Sequence, residues 1–244
     1  MKFQNNKSIS YLELVSNPLC IAGVSTRNGG CSKGNFYSLN VGRNTADSIE
    51  RVQKNRNALF NAVAPGFKVV YMQQMHSDIV HMVDADFTNN TEGDAFFTQE
   101  RGILLTIATA DCAPIVIHDE DFSIIAAIHC GWRGAQQNII QKTIAQLGAY
   151  VNPELLVAHI GPMIQQDYYE VGAEFLDIFP EEYFKTLHDK YYLNLNTIVE
   201  DALVGSDIGR IVNTRIGTFS QPDYFFSYRR DGETGRMLTY IGLL

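Results

Sequence analysis

The chain has 244 residues, 45% of them apolar and 19% charged, ordinary values for a soluble globular enzyme with one large core. A formal charge of −8 with no basic run excludes a surface built to displace phosphate counterions, so nucleic acid is not expected as a partner, although local arginines can still attract small anions. The N-terminus carries no apolar signal core and no segment is long enough to span a bilayer, which predicts no membrane association and a cytoplasmic location, with Cys20, Cys31, Cys112 and Cys130 as free thiols.

Apolar residues at Ile49, Val52, Leu59, Phe60 and Val63 follow the 3.6-residue rhythm of a helix over 46–64. Short strands are read at 69–72 and 79–83, placing His76 in the connection between them. Residues 94–98 and 103–108 are β-rich, with Gly102 marking a turn between them. Buried strands are expected at 103–108, 113–117 and 123–128, with the polar step Thr109–Cys112 between the first two. Gly131 and Gly134 then turn the chain into a helix of about 12 residues that stops near Gly148.

Further on, a strand at 155–160 ends at Gly161-Pro162, and helices are read at 169–179 and 195–203. Residues 225–230 and 236–241 read as a hairpin around Gly232 and Gly235. No linker or repeat divides the chain. The expectation is one α/β domain of mixed α+β character over 1–244, a mixed sheet packed with helices.

The chemistry-bearing residues cluster by type. His76 precedes Cys112 by 36 positions and His129 follows it by 17, each beside turn-forming residues. Two imidazoles and a thiolate suit zinc and leave a fourth position open, as catalytic sites do. Read singly, each is equally a hydrogen-bonded histidine or a small buried cysteine. Asp111 is a candidate for moving a proton or a turn residue that caps backbone amides. Arg133, at a turn into a helix, reads as an anion site through the helix dipole or as an ordinary surface arginine. Arg27 sits in a Gly-rich turn able to hold an oxyanion. If Arg229 and Arg230 alternate along a strand, one faces a pocket at most. His81, His118, His159 and His188 are read as structural or exposed.

Ser25-Thr-Arg-Asn-Gly-Gly30, Tyr37-Ser-Leu-Asn-Val-Gly42, Gln74-Met-His76, Gly93-Asp-Ala95, Thr109-Ala-Asp-Cys-Ala-Pro114 and His129-Cys-Gly-Trp-Arg-Gly134 occur in this order, followed by Gly161-Pro162, Tyr169-Glu-Val-Gly172, Phe226-Ser-Tyr-Arg-Arg-Asp231 and Thr234-Gly-Arg-Met237. Over nearly its whole length the chain thereby resembles the YfiH family, described first as multicopper polyphenol oxidases (laccases) and later as purine nucleoside phosphorylases. The resemblance implies a fold similar to the cysteine-hydrolase-like fold of deamidating toxins. It implies zinc on His76, Cys112 and His129; contacts to substrate are expected from Arg27, Asn40, Gln74, Arg133 and Arg229. It also implies phosphorolysis of adenosine, inosine and S-methyl-5′-thioadenosine, together with adenosine deamination. The sequence departs from the family pattern at Cys130, where Ala is usual, at Gln165-Gln-Asp-Tyr168, and at Asn213.

The expected protein is therefore a monomeric or weakly dimeric zinc enzyme taking purine nucleosides and phosphate, with Asp111, Cys112 and His129 as its catalytic groups. Its rivals are a Cys–His hydrolase or amidase with Cys112 as nucleophile and His129 as base, a peptidoglycan-editing factor, and a binding protein without turnover. A copper oxidase is discounted, because one blue-copper centre would leave four of the six histidines for any multinuclear cluster.

Overall fold

A computed structural model describes residues 2–244. The chain opens with strands β1 (Lys2–Asn6), β2 (Ile9–Asn17) and β3 (Cys20–Ser25), then reaches helix α1 (Ile49–Val63). Strands β4 (Lys68–Tyr71), β5 (Val80–Met82), β6 (Ala95–Thr98), β7 (Ile103–Thr109), β8 (Ala113–Asp119) and β9 (Ile125–Cys130) follow. Helices α2 (Trp132–Gln136) and α3 (Ile139–Leu147) lead to β10 (Leu156–Ile160). Short strands β11 (Glu170–Val171), β12 (Phe184–Leu187) and β13 (Lys190–Leu193) come before α4 (Leu195–Val204) and β14 (Arg210–Asn213). The chain ends with α5 (Tyr228–Asp231) and β15 (Met237–Leu243).

The fold is mixed α+β, with two principal sheets where one was expected. The first runs β1-β2-β3-β15-β7-β4 and the second β14-β10-β8-β9-β6-β5, each mixed because its last pairings are parallel. Alternation along single strands shows how they stack. On β7, Ile103, Leu105 and Ile107 join a core that also holds Val116 of β8 and Ala127 of β9, while Leu104 packs with Phe60 and Val63 of α1. On β8, Ile115 and Ile117 turn the other way, into a cluster with Ile140 of α3 and Val199 of α4. The layers are thus helix, sheet, sheet, helix. Both faces of β8 and β9 are covered, which explains their continuous apolar sequence. Each fully buried Ile or Leu in these layers contributes about 1.5–3 kcal/mol over an exposed one.

Several expectations are corrected by long-range packing. Gly102 does turn the chain, at φ 73°, but the turn joins two layers, because β6 lies in the second sheet and β7 in the first. The helix of about 12 residues expected before Gly148 is shorter, Ile139–Leu147, because Asn138 is left-handed at φ 62°, a conformation asparagine tolerates better than most residues, and the turn expected at Gly131 and Gly134 is itself the short helix α2. Residues 169–179 form β11 and a 3-10 turn at Ala173–Asp177, since Glu170 and Val171 pair with Tyr192 and Tyr191 of β13. The C-terminal hairpin is absent: Tyr228–Asp231 is a helical turn capped by Ser227, and β15 inserts between β3 and β7. Arg229 and Arg230 therefore do not alternate along a strand. Arg230 instead donates to the carbonyls of Thr218, Phe219 and Phe225 and pairs with Asp231.

Candidate metal centre and arginine-lined cavity

The connections from β4 to β5 and from β7 to β8 both cross from the first sheet to the second. They carry His76 and Cys112, and β9 supplies His129 next to its end. Crossing between layers exposes backbone that no ladder pairs, so polar residues collect there. The donor atoms of His76, Cys112 and His129 all lie within 4.8 Å of one another, with Cys112 Sγ 3.9 Å from His76 Nε2. The two imidazole rings meet edge to face at 4.8 Å. Tetrahedral zinc would hold such donors about 3.3–3.6 Å apart, so the three fit an ion after small side-chain adjustments. Gly131 leaves them room: a Cβ there would stand 3.0 Å from Cys112 Sγ and 3.1 Å from His76 Cδ2.

Asp94 organises this centre. It is fully buried, and its Oδ1 accepts from His129 Nδ1 at 2.7 Å. Its Oδ2 accepts from Met75 N at 3.1 Å and from Ser77 N and Oγ at 2.7 Å, gripping the backbone on both sides of His76. His76 is thereby held at φ 58°, a conformation that costs a non-glycine residue about 1–3 kcal/mol. Because His129 donates through Nδ1, its Nε2 is left for the cavity side. Burial opposes the Asp94 carboxylate, but His129 and Ser77 outweigh it and bring its pKa down to about 2. Burial likewise pushes the Cys112 thiol up, yet the neighbouring His129 and His76 bring it down to about 6. His129 goes the other way: burial disfavours its charge, and Cys112 with Asp94 raises it to about 9. At neutral pH, with no ion bound, these shifts favour a Cys112 thiolate beside a protonated His129.

The centre opens into a cavity of about 550 Å³. Arg43, Arg56, Arg133, Arg229 and Arg236 line it, and among the described residues Asp111 is the only carboxylate on its wall. A chain with net charge −8 has gathered five cations around one cavity. Thr109 Oγ1, also on the wall, is buried without a partner among the described residues.

The structure separates the expected site residues. Arg133 and Arg229 line the cavity; Arg133 lies over the Trp132 ring, and Arg229 lies over Tyr169 and donates to the Glu170 carbonyl. The dipole argument for Arg133 falls, because α2 spans only five residues. Gln74 also lines the cavity, but its amide is doubly bonded to the Ala108 backbone. Arg27 lies outside the wall; its guanidinium donates to the Tyr37 and Pro222 carbonyls and covers Phe226. Asn40 is fully buried behind the wall and accepts from Gly42 N and Arg236 N. Asp111 is on the wall at φ 96°, with both oxygens engaged by Thr218 Oγ1 and Arg229 N, which makes it a tie between segments rather than a free proton carrier. Cys130 is buried among the helix-side core residues, on the opposite face of β9 from His129.

Sequence reasoning passed over Asp94, Arg43, Arg56 and Arg236. Asp94 and Arg236 lie in quoted motifs but were given no role, Arg43 directly follows one, and Arg56 reads as the polar face of an ordinary helix.

A family model described as multi-copper polyphenol oxidoreductase laccase matches residues 21–244. The chain is 31% identical over 226 residues to the purine nucleoside phosphorylase YfiH of Escherichia coli, covering 90% of this chain and 92% of that protein. It is 37% identical over 231 residues to a purine nucleoside phosphorylase of Deinococcus radiodurans, covering 90% and 87%. Among solved structures, a Neisseria meningitidis protein superimposes with a TM-score of 0.88 at 32% identity, covering 96% of this chain and 98% of that one. YlmD from Geobacillus stearothermophilus gives 0.88 at 29%, covering 98% and 97%.

Proposed function

The chain belongs to the YfiH family, the one described as multi-copper polyphenol oxidoreductase laccase, and from that premise we propose that it is a zinc-dependent purine nucleoside phosphorylase. The observation that carries the reading is the juxtaposition of His76, Cys112 and His129 at one end of a cavity lined by five arginines. A nucleoside and a phosphate are what such a cavity suits: an uncharged aromatic ring system, a sugar rich in hydroxyls, and an oxyanion. The substrates are adenosine, inosine and S-methyl-5′-thioadenosine, with adenosine deamination as a second activity. The catalytic unit is one domain over 1–244.

In phosphorolysis a phosphate oxygen bonds to the ribose C1′ as the N-glycosidic bond breaks, and the electron pair leaves with the purine. The arginines hold the phosphate and offset its charge as it approaches the sugar. Trp132, Tyr169 and Tyr228 supply apolar wall, and Thr109 Oγ1 is free to meet a polar group of the nucleoside. His76, Cys112 and His129 would hold zinc, which when bound supplies Lewis acidity at the cavity end. Asp94 keeps His129 in the tautomer that presents Nε2. Asp111 positions Arg229 and the segment at Thr218.

Copper is not the proposed ion. Among the described residues only one group of three or more potential ligands forms. His118 and His159 pair with each other at 3.2 Å, and His118 lies at the far end of β8, about 20 Å along the strand from Cys112.

Metal-quantified protein incubated with a nucleoside panel, with and without phosphate, tests the reading through its products. Base and ribose 1-phosphate formed only with phosphate are expected. His76→Ala and Cys112→Ala should each strip the zinc while the circular dichroism spectrum stays native. Full zinc retention in both variants would remove these ligands from consideration. A second reading has one observation in its favour: Cys112, His129 and Asp94 also stand as nucleophile, base and orienting carboxylate. Amide hydrolysis by metal-free protein, abolished in Cys112→Ala, would select it.

A further inference from the structure

Arg43 and Arg56 share the Tyr71 ring on the α1 side of the cavity, and Arg236 packs beside them with its guanidinium toward Tyr228 and the charges of Cys112 and Asp111. Arg56, on α1, is only 3% exposed, donates through Nη1 to the Val41 carbonyl at 3.0 Å, and lies 5.2 Å from the Tyr71 ring centroid. The Arg43 guanidinium lies 4.2 Å from the same ring. The Arg236 stem packs so closely on Gly42 that a Cβ there would meet its Cγ at 2.6 Å. Asn40 binds this arrangement together, accepting from Gly42 N and Arg236 N through one oxygen.

None of the three has a carboxylate partner among the described residues. Burial, and after it the charge of Arg43, lowers Arg56 to about 10. Burying a guanidinium beside like charges is costly, and contact with an aromatic face offsets only part of that cost. A fold keeps such a group when something anionic enters and offsets it. Arg133 and Arg229 lie instead over the Trp132 and Tyr169 rings, and of the first three only Arg43 is as exposed as they are.

We propose that Arg56, Arg43 and Arg236 form an oxyanion subsite that takes a phosphate group at the cavity wall on the α1 side. This deepens, and rests on, the phosphorylase reading, and it moves the phosphate away from Arg133 and Arg27. Arg133 and Arg229 then serve the nucleoside. The oxyanion is inorganic phosphate or the phosphoryl group of a nucleotide, two sources with the same chemistry.

Calorimetric titration of zinc-loaded protein with inorganic phosphate, with no nucleoside present, reads the subsite directly. A parallel titration with AMP identifies the source. Arg43→Ala, at an exposed side chain, and Arg56→Lys, which keeps the charge but loses the planar fork, should each weaken phosphate binding about tenfold or more, the loss of one charge-assisted hydrogen bond. Arg133→Lys should weaken it far less. If AMP binds more tightly than phosphate and is weakened by Arg43→Ala, the subsite stands and a nucleotide is its ligand. Melting curves show that the variants fold, and Arg43→Ala carries the test if Arg56→Lys does not. Wild-type protein that binds neither ligand, an affinity unchanged in Arg43→Ala, or an equal loss in Arg133→Lys overturns the subsite. Phosphate binding that needs Arg43, without base release from any nucleoside, overturns the phosphorylase reading and leaves the subsite standing.

Discussion

Asp94 divides its two oxygens between the His129 ring and the backbone flanking His76, so one carboxylate aims both imidazoles. Asp94→Asn keeps the shape but puts an amide nitrogen where one of these acceptors was. Zinc affinity should fall about 10–100-fold, the usual loss when a metal-bound histidine loses its orienting partner. Competition with a chromophoric chelator measures this, and an unchanged affinity would deny Asp94 the role. The same residue links the fold to acid. Its folded pKa of about 2 lies below the ordinary carboxylate value, so its stabilisation is complete above about pH 4 and is lost as pH falls through 2. That amounts to roughly 2 kcal/mol. Urea unfolding at pH 7 and pH 3 should show wild type losing more stability between the two than Asp94→Asn. An equal loss in both proteins would place the acid sensitivity elsewhere.

At the level of elements, the step from β9 into α2 sets the spacing of the centre. Gly131 has an ordinary extended backbone, φ −85°, so its glycine answers a need for space and not for an unusual dihedral. Gly131→Ala would push a methyl group against Cys112 Sγ and His76 Cδ2. The variant should fold with near-native stability and bind zinc at least about tenfold more weakly, since ligand distances tolerate only about 0.2 Å of error. Metal content after dialysis against a weak chelator checks this; native retention would show that the ligands yield easily. The break at Asn138 belongs to the same step. It lets α3 lie along the second sheet, with Ile140 and Ile144 buried, while α2 presents Trp132 and Arg133 to the cavity.

Across the whole molecule, the ligands come from two crossings between sheets and from a strand of the second sheet. An ion there would tie the two layers together. Each sheet also has its own helix-covered core, so a bound metal would add to stability without creating the fold. At free zinc about 1,000-fold above its dissociation constant, binding contributes about 4 kcal/mol. Removal by a chelator should therefore lower the melting temperature by roughly 8–16 °C while leaving a cooperative transition. A chelated protein without such a transition would mean that the ion is part of the folding nucleus. An unchanged melting temperature would mean that no ion binds at these residues.

The three donors, the polar step before Cys112, the buried strands β7 to β10 and helices α1 and α4 were legible in the sequence, because each rests on local chemistry or on a period. What failed was non-local. β15 pairs with β3 and β7 across more than a hundred residues, and that pairing overrides the hairpin its glycines suggest. Residues 170–171 become a strand only because β13 lies beside them. The site followed the same rule. His76, Cys112 and His129 are named by what they can bind, a property each carries in its own side chain. Arg56 looks like any charged residue on a helix, and Arg27 like any anion-holding arginine beside glycines. The folded chain distinguishes them: Arg27 is spent on the Tyr37 and Pro222 carbonyls, while Arg56 is buried against the cavity with no ion pair among the described residues. Sequence decides which donors and charges exist, because those are properties of single side chains; which of them stay unpaired and face a common space is decided by packing between distant segments.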